Sequence, residues 1–489
     1  MNSENKLRVI IAASEMMPYA KTGGLADVVS SLPSALASLG NVDARTIIPK
    51  YGFINDSYYG LKELPGTIKF AMCGYPYEVK VKYLEFPEGW KAYFLEHEGI
   101  LSRNDIYGYE DDGYRFALFA RACIELTKFL NFKPDVFHCQ DWHTGLIPVY
   151  MKTMYRQDPF FKDTATIFTI HNLGYQGVFS KELLPYIDIG WEEFKAEKLE
   201  FWGNINFIKA GISYSDIVNT VSKEYSKEIQ TPRYGEQLDS MLRSRANDLY
   251  GIVNGIDYNV WNPATDGKIT SKFDVSSTEK KVENKLALQR ELNLPQNAQI
   301  PVMGFVSRLT YQKGPDIIVE AANELVSLGV QFVLLGTGEE HYRYLFQKLA
   351  HDFPDNVRAI TSFDDSLARR IYAGSDTFLM PSRYEPCGLS QLISMRYGTI
   401  PIVRRTGGLA DTVQEYDPTT EKGTGFVFEE ESSYALVSVV KKAVEMYHND
   451  KYGWQKLIIN AMESDFSWGN SAREYVDLYR KAIQKRQTA

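Results

Sequence analysis

The sequence predicts an α/β protein of two doubly wound parallel-sheet domains that face a deep cleft. The chain has 489 residues, which is too long for one ordinary hydrophobic core. In both halves, short apolar runs alternate with segments that have helical apolar spacing, as in doubly wound sheets. The sequence TGGLAD also occurs once in each half. We therefore expect an N-terminal domain over 1–255, a C-terminal domain over 256–465 and a C-terminal helix over 466–489.

The first half opens with the apolar run KLRVIIAAS, which is typical of a buried parallel strand. Residues 25–39 then have the apolar spacing of a helix. Further strands are predicted at 135–140, 165–172 and 216–222, each followed by a candidate helix. This alternation favours a parallel sheet with helices on both faces.

The second half repeats the pattern after a connection rich in glycine, asparagine and proline at 251–265. Amphipathic segments separate its apolar runs, as they do in the first half. The predicted strands lie at 300–309, 330–338, 357–363, 376–382 and 399–405.

Composition excludes several classes of protein. The net charge is -8 and the basic residues form no long run, which argues against an extended nucleic-acid surface. No apolar run approaches the roughly 18 residues of a membrane helix. The 4 cysteines lack CxxC spacing, which fits reduced thiols rather than a zinc site. The first residues do not have the pattern of a signal peptide, so we expect a cytoplasmic protein.

The two glycine loops are candidate phosphate sites. The first is KTGGLAD, Lys21–Asp27, with Gly23 and Gly24; the second is RTGGLAD, with Gly407 and Gly408. Paired glycines let the backbone turn tightly, and the following helix presents free N–H groups to an anion. The alternative is a tight strand-to-helix turn without a ligand. Because the loop occurs twice, we expect both copies to approach one ligand or paired ligands.

Two cations follow a predicted strand in the second half. The segment SRLTYQKG places Arg308 and Lys313 between that strand and a helix, where both could converge on a diphosphate leaving group. The alternative is a pair of solvated cations at a helix entrance.

The loop PSRYEPCGLSQL follows a later strand and contains a carboxylate, Glu385. Its side chain could bind sugar hydroxyls, and the N–H groups of Gly388 and Leu389 could bind hydroxyl or phosphate oxygens. Alternatively, Glu385 is an acid that complements a helix dipole. Cys387 is more typical of a small buried residue than of a nucleophile.

Polar residues also follow two strands of the first half. HCQDWHTG contains His138, Asp141 and His143, and TIHNLGYQG contains His171 and Asn172. Ligands of open α/β sheets bind outside the carboxyl ends of the strands, which favours a binding role. The spacing of the first two histidines does not support a metal site, and a histidine hydrogen-bonded within the core remains an alternative for each.

Seven motifs, in this order, resemble those of bacterial glycogen synthases and plant starch synthases: KTGGLADVV, RFALF, QDWHTGL, TIHNLGYQG, VSRLTYQKG, PSRYEPCGLSQL and RRTGGLADTV. The resemblance covers nearly the whole chain. It implies the GT-B fold with Rossmann-like domains, domain closure, ADP-glucose as donor, an α-1,4-glucan as acceptor and retention of the anomeric configuration. It also implies that the last helix packs back on the first domain; the alternative is a surface helix. No metal or cofactor is expected.

The resemblance also implies roles for individual residues. Those expected to bind the donor diphosphate are Lys21, Gly23, Gly24, Arg308, Lys313, Thr406, Gly407 and Gly408. Asp27 closes the first of these loops, and Phe363 is expected to stack on adenine.

The sugar-binding residues are implied in the same way. The side chain of His171 is expected to contact glucose, and its backbone carbonyl to face the anomeric carbon. The loop Glu385, Cys387, Gly388 and Leu389 resembles the one that holds glucose. Tyr107, Asp141 and Asn172 resemble acceptor-side or sugar-positioning residues. Two other functions stay open at this point: a related transferase that uses UDP-glucose, and a non-catalytic glucan-binding homologue.

Overall fold

The computed structural model describes residues 6–488. Two compact units account for them. The first unit runs to Asn254 and also includes the final helix from Trp468, and the second unit is Gly255–Ser467. Each unit has its own wholly or mainly parallel sheet and its own hydrophobic core, which confirms the predicted fold class.

A ten-stranded sheet forms the centre of the first unit, and a separate three-stranded sheet is formed by β9 to β11. The strands of this unit are β1 (Leu7–Ala12), β2 (Val42–Pro49), β3 (Lys62–Glu63), β4 (Ile68–Met72), β5 (Tyr75–Glu85), β6 (Lys91–Glu96), β7 (Val136–Gln140), β8 (Ala165–Ile170), β9 (Val178–Ser180), β10 (Glu200–Phe201), β11 (Asn204–Asn206), β12 (Ile217–Thr220) and β13 (Leu249–Gly251).

The large sheet has the order β13, β12, β8, β7, β1, β2, β6, β5, β3, and β4 pairs with β5. The pairs from β13 to β6 are parallel, whereas those formed by β5 are antiparallel. Every residue of β7 and β8 is buried, because helices cover both faces of a parallel sheet. The helices of this unit are α1 (Gly24–Ser38), α2 (Asp56–Tyr59), α3 (Asp112–Phe129), α4 (Leu146–Lys152), α5 (Phe207–Tyr214), α6 (Lys223–Glu228) and α7 (Asp239–Ser244).

The second unit has a six-stranded, fully parallel sheet with the order β16, β15, β14, β17, β18, β19. Its strands are β14 (Val302–Val306), β15 (Gln331–Leu335), β16 (Val357–Ile360), β17 (Thr377–Met380), β18 (Ile400–Arg404) and β19 (Phe426–Phe428). Its helices are α8 (Lys281–Glu291), α9 (Pro315–Ser327), α10 (Glu340–Asp352), α11 (Asp365–Gly374), α12 (Ser390–Arg396), α13 (Gly407–Thr412), α14 (Ser433–Asn449) and α15 (Lys451–Glu463).

The order of the strands reverses once in each sheet. In the first unit β1 lies between β2 and β7, and in the second unit β14 lies between β15 and β17. At such a switch point the helical connections leave in opposite directions, so a crevice opens beyond the carboxyl ends of the two strands. These two crevices are where ligands are expected.

The last helix, α16 (Trp468–Thr488), packs in the first unit. Its buried side includes Ala472, Tyr475 and Tyr479, at the i, i+3 and i+7 spacing of one helical face. The hydroxyl of Tyr479 lies 3.0 Å from Nδ1 of His138 on β7. The other ring nitrogen of His138 lies 2.7 Å from Oγ1 of Thr169. His138 is therefore a hydrogen-bonded core histidine, one of the alternatives left open by the sequence.

Candidate active site

The first glycine loop is closed by a carboxylate from its own unit. Gly23 is the N-cap of α1, and its N–H donates to Oε2 of Glu15 at 3.1 Å. The N–H of Thr22 donates to the same oxygen at 2.6 Å. Nζ of Lys21 lies 2.7 and 2.8 Å from the carboxylate oxygens of Asp27. Lys21, Gly23, Gly24 and Asp27 are therefore together, with Glu15 as an additional member.

Tyr107 joins this group through the same carboxylate. Its hydroxyl donates to Oε1 of Glu15 at 2.6 Å and lies 2.8 Å from Oγ of Ser14. Its ring stacks on His143 with the centroids 4.7 Å apart. Burial, reinforced by the charge of Glu15, raises the pKa of Tyr107 well above its usual value, so the phenol keeps its proton and acts as a donor.

Asp141 holds the peptides that follow β8. Its Oδ1 accepts the N–H of His171 at 2.8 Å, and the backbone of Asn172 also donates to this carboxyl group. Burial raises the pKa of Asp141 to about 7, which these two N–H donors partly oppose. Its φ is +55°, a value that costs a non-glycine residue conformational energy and is concentrated at functional sites. Asp141, His171 and Asn172 therefore form one cluster at the carboxyl ends of β7 and β8.

The His171 ring is neutral. Burial lowers its pKa to about 3, and Nε2 lies 2.6 Å from Oε1 of Gln140. With the amide oriented in this way, Nε2 carries the hydrogen and donates it to Gln140. Nδ1 is then an acceptor for a sugar hydroxyl. The charge of Glu15 contributes to the raised pKa of Asp141, which shows that the two clusters of this crevice share one electrostatic environment.

The crevice of the second unit is a pocket that is partly open to solvent. The ends of β14 and β17 line it, together with Lys313, Glu385, Gly388 and Leu389. Nζ of Lys313 lies 2.8 and 2.6 Å from the two carboxylate oxygens of Glu385. Oγ of Ser382 donates to the same carboxylate at 3.0 Å. The side chains of Lys313 and Glu385 are only 16% and 6% exposed, so this is a largely desolvated ion pair.

The second glycine loop interlocks with the loop that carries Glu385. The N–H of Gly408 donates to the backbone carbonyl of Glu385 at 2.9 Å. A Cβ on Gly408 would lie 2.0 Å from the carbonyl oxygen of Cys387, so no larger residue fits there. Gly407 begins α13 with φ +44°, and Thr406 and Cys387 are buried. The loops 385–389 and 406–408 therefore form one surface of the second unit.

Of the donor residues predicted in the second unit, Lys313 lines this pocket, whereas Arg308, Phe363 and the segment 406–408 lie outside its lining. Arg308 follows the end of β14 by two residues. Phe363 follows β16, two strands away from β14, and is 88% exposed.

Across residues 6–488, no group of three or more His, Cys, Asp or Glu side chains is placed to hold a metal ion. In the same range, no helix has the length and apolarity needed to cross a bilayer.

The sequence reasoning missed Glu15, Gln140 and Ser382. Glu15 follows β1, Gln140 ends β7 and Ser382 follows β17, so all three lie near the carboxyl ends of the strands at the switch points. The signal that identified Asp141 was therefore also present for them. Gln140 and Ser382 even lie inside the motifs HCQDWHTG and PSRYEPCGLSQL, where the histidines, Asp141 and Glu385 drew the attention, whereas Glu15 lies outside every motif.

Two doubly wound units, each with a polar crevice at its switch point, are the architecture of the GT-B class, and the relatives below make the chain a hexosyltransferase of that class. The family model described as "Starch synthase catalytic domain" matches residues 8–244, and "Glycosyl transferases group 1" matches residues 289–454. The chain belongs to the family of glycogen synthases and starch synthases.

Individual relatives are similar over their full lengths. Glycogen synthase of Desulforudis audaxviator is 47% identical over 99% of this chain and 98% of its own length. That of Thermotoga maritima is also 47% identical, over 98% of this chain and 99% of its own length. Among solved structures, the catalytic domain of Arabidopsis thaliana starch synthase IV bound to ADP and acarbose matches with a TM-score of 0.90. It is 35% identical and covers 98% of this chain and 100% of that chain.

Proposed function

We propose that this enzyme transfers glucose from ADP-glucose to the 4-hydroxyl at the non-reducing end of an α-1,4-glucan, with retention of configuration and release of ADP. The observation that carries this proposal is the buried Lys313–Glu385 pair in the pocket at the β14–β17 switch point. In this pair an ammonium, suited to phosphate, lies beside a carboxylate, suited to sugar hydroxyls, and this supports the proposal. The family assignment, and the ADP bound to the starch synthase relative, support the nucleotide.

Binding of the donor requires the Lys313–Glu385 pair to rearrange. In the structure Lys313 is already neutralised by Glu385. A diphosphate carries more charge than one carboxylate and attracts the ammonium more strongly, because the pair is largely removed from water. Once Lys313 turns to the phosphate, Glu385 is released to accept hydrogen bonds from the glucose. One event therefore activates both residues.

The other donor contacts follow from the second unit. Arg308 is proposed to bind the diphosphate with Lys313, because a guanidinium can contact two phosphate oxygens at once. The segment from Thr406 to Gly408 is proposed as a phosphate cradle, and Gly388 and Leu389 as contacts of the glucose. Phe363 exposes nearly its whole ring, which suits stacking on the adenine.

The first glycine loop contributes in a more restricted way than the sequence predicted. Glu15 already accepts the N–H groups of Thr22 and Gly23, so these two donors are satisfied before any ligand arrives. The free N–H groups of α1 begin one residue later. We propose that Gly24, the start of α1 and the ammonium of Lys21 bind the phosphate. Gly23 has nothing within 4 Å of the position of a Cβ, so its absent side chain leaves space for the ligand.

The acceptor side is assigned to Tyr107, Asp141, His171 and Asn172. Asp141 fixes the peptides of His171 and Asn172, and so orients the His171 carbonyl that is proposed to face the anomeric carbon. Neutral His171 accepts a glucose hydroxyl at Nδ1 without bringing a positive charge next to the forming oxocarbenium ion. Tyr107, kept protonated, already donates its hydroxyl hydrogen to Glu15, so its oxygen is proposed to accept a hydrogen bond from a hydroxyl of the acceptor.

The proposed chemistry takes place on one face of the glucose. The bond from the anomeric carbon to the β-phosphate oxygen breaks, the acceptor 4-hydroxyl attacks the same face, and the departing phosphate takes the proton of that hydroxyl. The cations stabilise the charge that develops on ADP. This route needs no second carboxylate as a nucleophile, which a double displacement would require, and no metal or cofactor.

The decisive experiment is an assay of nucleotide release. The enzyme is incubated with glycogen and either ADP-glucose or UDP-glucose, with EDTA present, and ADP or UDP is measured. Release of ADP, and its loss in Arg308→Ala, is expected. A preference for UDP-glucose would show that the donor is UDP-glucose rather than ADP-glucose. If neither nucleotide is released, the chain is a non-catalytic glucan-binding homologue. We also propose a cytoplasmic location. All four cysteines are free thiols, which supports this location.

A further inference from the structure

The small sheet of the first unit has one packed face and one partly open face, which we call the open face. Its strands lie in the order β10, β11, β9 and are antiparallel. On the packed face, Ile205 is buried, and the Phe179 ring lies 5.5 Å from Trp142 and 4.9 Å from Phe207. On the open face, Ser180 and its partner Asn204 are exposed and Val178 is 43% exposed, whereas Phe201, opposite Asn204, is half-buried and Asn206, opposite Val178, is buried. The open face is therefore uncharged at these positions.

An exposed tryptophan ends this sheet. Trp202 and Gly203 form the two-residue turn between β10 and β11, with φ of +52° and +78°. Two positive φ values define a type I′ hairpin, which strongly prefers asparagine, aspartate or glycine at its first position. A tryptophan there is a genuine outlier. The Trp202 side chain is 77% exposed, and among residues 6–488 it has no hydrogen-bond, ring or cation partner.

The fold gains nothing from this residue. The turn conformation disfavours it, and its ring contributes almost no burial, so asparagine would serve the hairpin better. A large flat apolar surface in a disfavoured position indicates selection for a ligand rather than for folding. Trp202 is therefore a candidate contact for something outside the chain.

The sheet is continuous with the proposed acceptor site. Trp142, which packs against Phe179, directly follows Asp141. The N–H of Tyr175 donates to the carbonyl of Asn172 at 3.2 Å, and β9 begins three residues later. The antiparallel strand β11 then runs from Asn206, opposite the start of β9, towards the turn. Four residues of extended strand span roughly 13 Å. The open face thus leads from the acceptor residues to Trp202.

We propose that an α-glucan acceptor lies along this open face and stacks a glucose ring on Trp202, so that the sheet is a remote subsite for long acceptors. This proposal rests on the proposed function. The apolar face of a pyranose stacks on an indole as other flat apolar groups do. The side chains of Ser180 and Asn204 offer hydrogen bonds to hydroxyls without charge, which fits a neutral polysaccharide rather than an anionic polymer or lipid surface. A long glucan, unlike a short one, extends far enough to contact both the proposed acceptor residues and Trp202.

The test replaces Trp202 without damaging the turn. Trp202→Asn has the residue that a type I′ turn prefers, and Trp202→Tyr retains an aromatic ring. Tyr434→Ala removes an aromatic ring that is 79% exposed on α14 of the second unit, and serves as the matched control. Each protein is assayed for ADP release with glycogen and with maltotriose, and for co-sedimentation with glycogen in the absence of donor.

For Trp202→Asn we expect the KM for glycogen to rise about threefold to tenfold, the range of one stacking contact. We expect kcat, the KM for maltotriose and the KM for ADP-glucose to stay unchanged. Co-sedimentation should weaken in parallel. Trp202→Tyr should restore most of the affinity, and Tyr434→Ala should behave like the wild type.

The proposal is overturned if the KM for glycogen and co-sedimentation do not change in Trp202→Asn, or if the KM for maltotriose rises equally. A lower mass by light scattering with an unchanged glycogen KM would also overturn it, because Trp202 would then contact a second copy of the chain. Failure of the proposed function has a different signature, since the wild type would then release no ADP with either acceptor. Co-sedimentation would still report on the remote subsite.

Discussion

Breaking the Lys313–Glu385 pair is expected to cost both stability and activity, and the two losses can be separated. The pair is bidentate and its side chains are 16% and 6% exposed. Removing one partner of a buried ion pair leaves the other charge uncompensated, at a cost of about 3 to 5 kcal/mol. Glu385→Gln and Lys313→Met should each show this loss. The double variant buries no charge and should lose less than the sum of the two.

Activity should follow a different pattern from stability. Both residues are proposed to act in the transition state, so each single variant should lose about 10² to 10³ in kcat. The double variant should be at least as inactive, although its fold is partly restored. Calorimetry and urea unfolding measure the stability, and ADP release with saturating ADP-glucose and glycogen measures kcat. A stable, fully active double variant would refute the assigned roles. Single variants that unfold like the wild type would refute the buried pair.

Three further predictions concern other parts of the two units. Burial raises the pKa of Asp141 to about 7, so the native state binds more protons than the unfolded state between pH ~4 and ~7, and stability falls as the pH rises through that range. Between about pH 5.5 and pH 8.5, the wild type should lose about 2 kcal/mol of its free energy of unfolding because of Asp141, and Asp141→Asn should not show this loss in urea unfolding. An identical dependence on pH in both proteins would contradict this. Gly23→Ala should leave the melting temperature unchanged and raise the KM for ADP-glucose, because only a ligand would meet the new methyl group. Gly408→Ala meets a backbone carbonyl and should lose about 1 to 3 kcal/mol or more, and equal melting temperatures for the two variants would exclude this difference. Tyr479→Phe leaves a ring nitrogen of His138 without its partner and should cost about 1 to 3 kcal/mol in urea unfolding without changing the KM for the donor, and an unchanged unfolding curve would show that this bond is dispensable.

The sequence predicted most of the parallel strands, but it missed the antiparallel strands and also β2 and β6, which are parallel and largely buried. β1, β7, β8 and all strands of the second unit except β19 fall within predicted runs, because a parallel strand between two helical layers needs apolar residues almost throughout. The antiparallel strand β5, Tyr75–Glu85, alternates exposed and buried residues and contains several charges. The strands of the small sheet have only two or three residues. Such segments leave too little periodicity to be recognised without the sheet that pairs them.

The candidate site was predictable where the chemistry lies in one motif. Lys313 and Glu385 were each identified from a local pattern, but their 2.6 Å contact depends on the pairing of β14 and β17, which no local pattern contains. Glu15 shows the same limit more sharply. A glutamate near the end of a strand is unremarkable until the chain folds back and places its carboxylate on the N–H groups of Thr22 and Gly23.

The two TGGLAD loops show that one sequence can require glycine for different reasons. In the second loop the fold itself demands both glycines, because Gly407 has a positive φ and Gly408 touches the backbone of Cys387. In the first loop Gly23 has an extended backbone and open space around its Cβ position, so the fold alone would accept alanine. Under the proposed function, a ligand that approaches the backbone closely accounts for this glycine. The repeat therefore carries a structural requirement in the second unit, and we propose a binding requirement in the first.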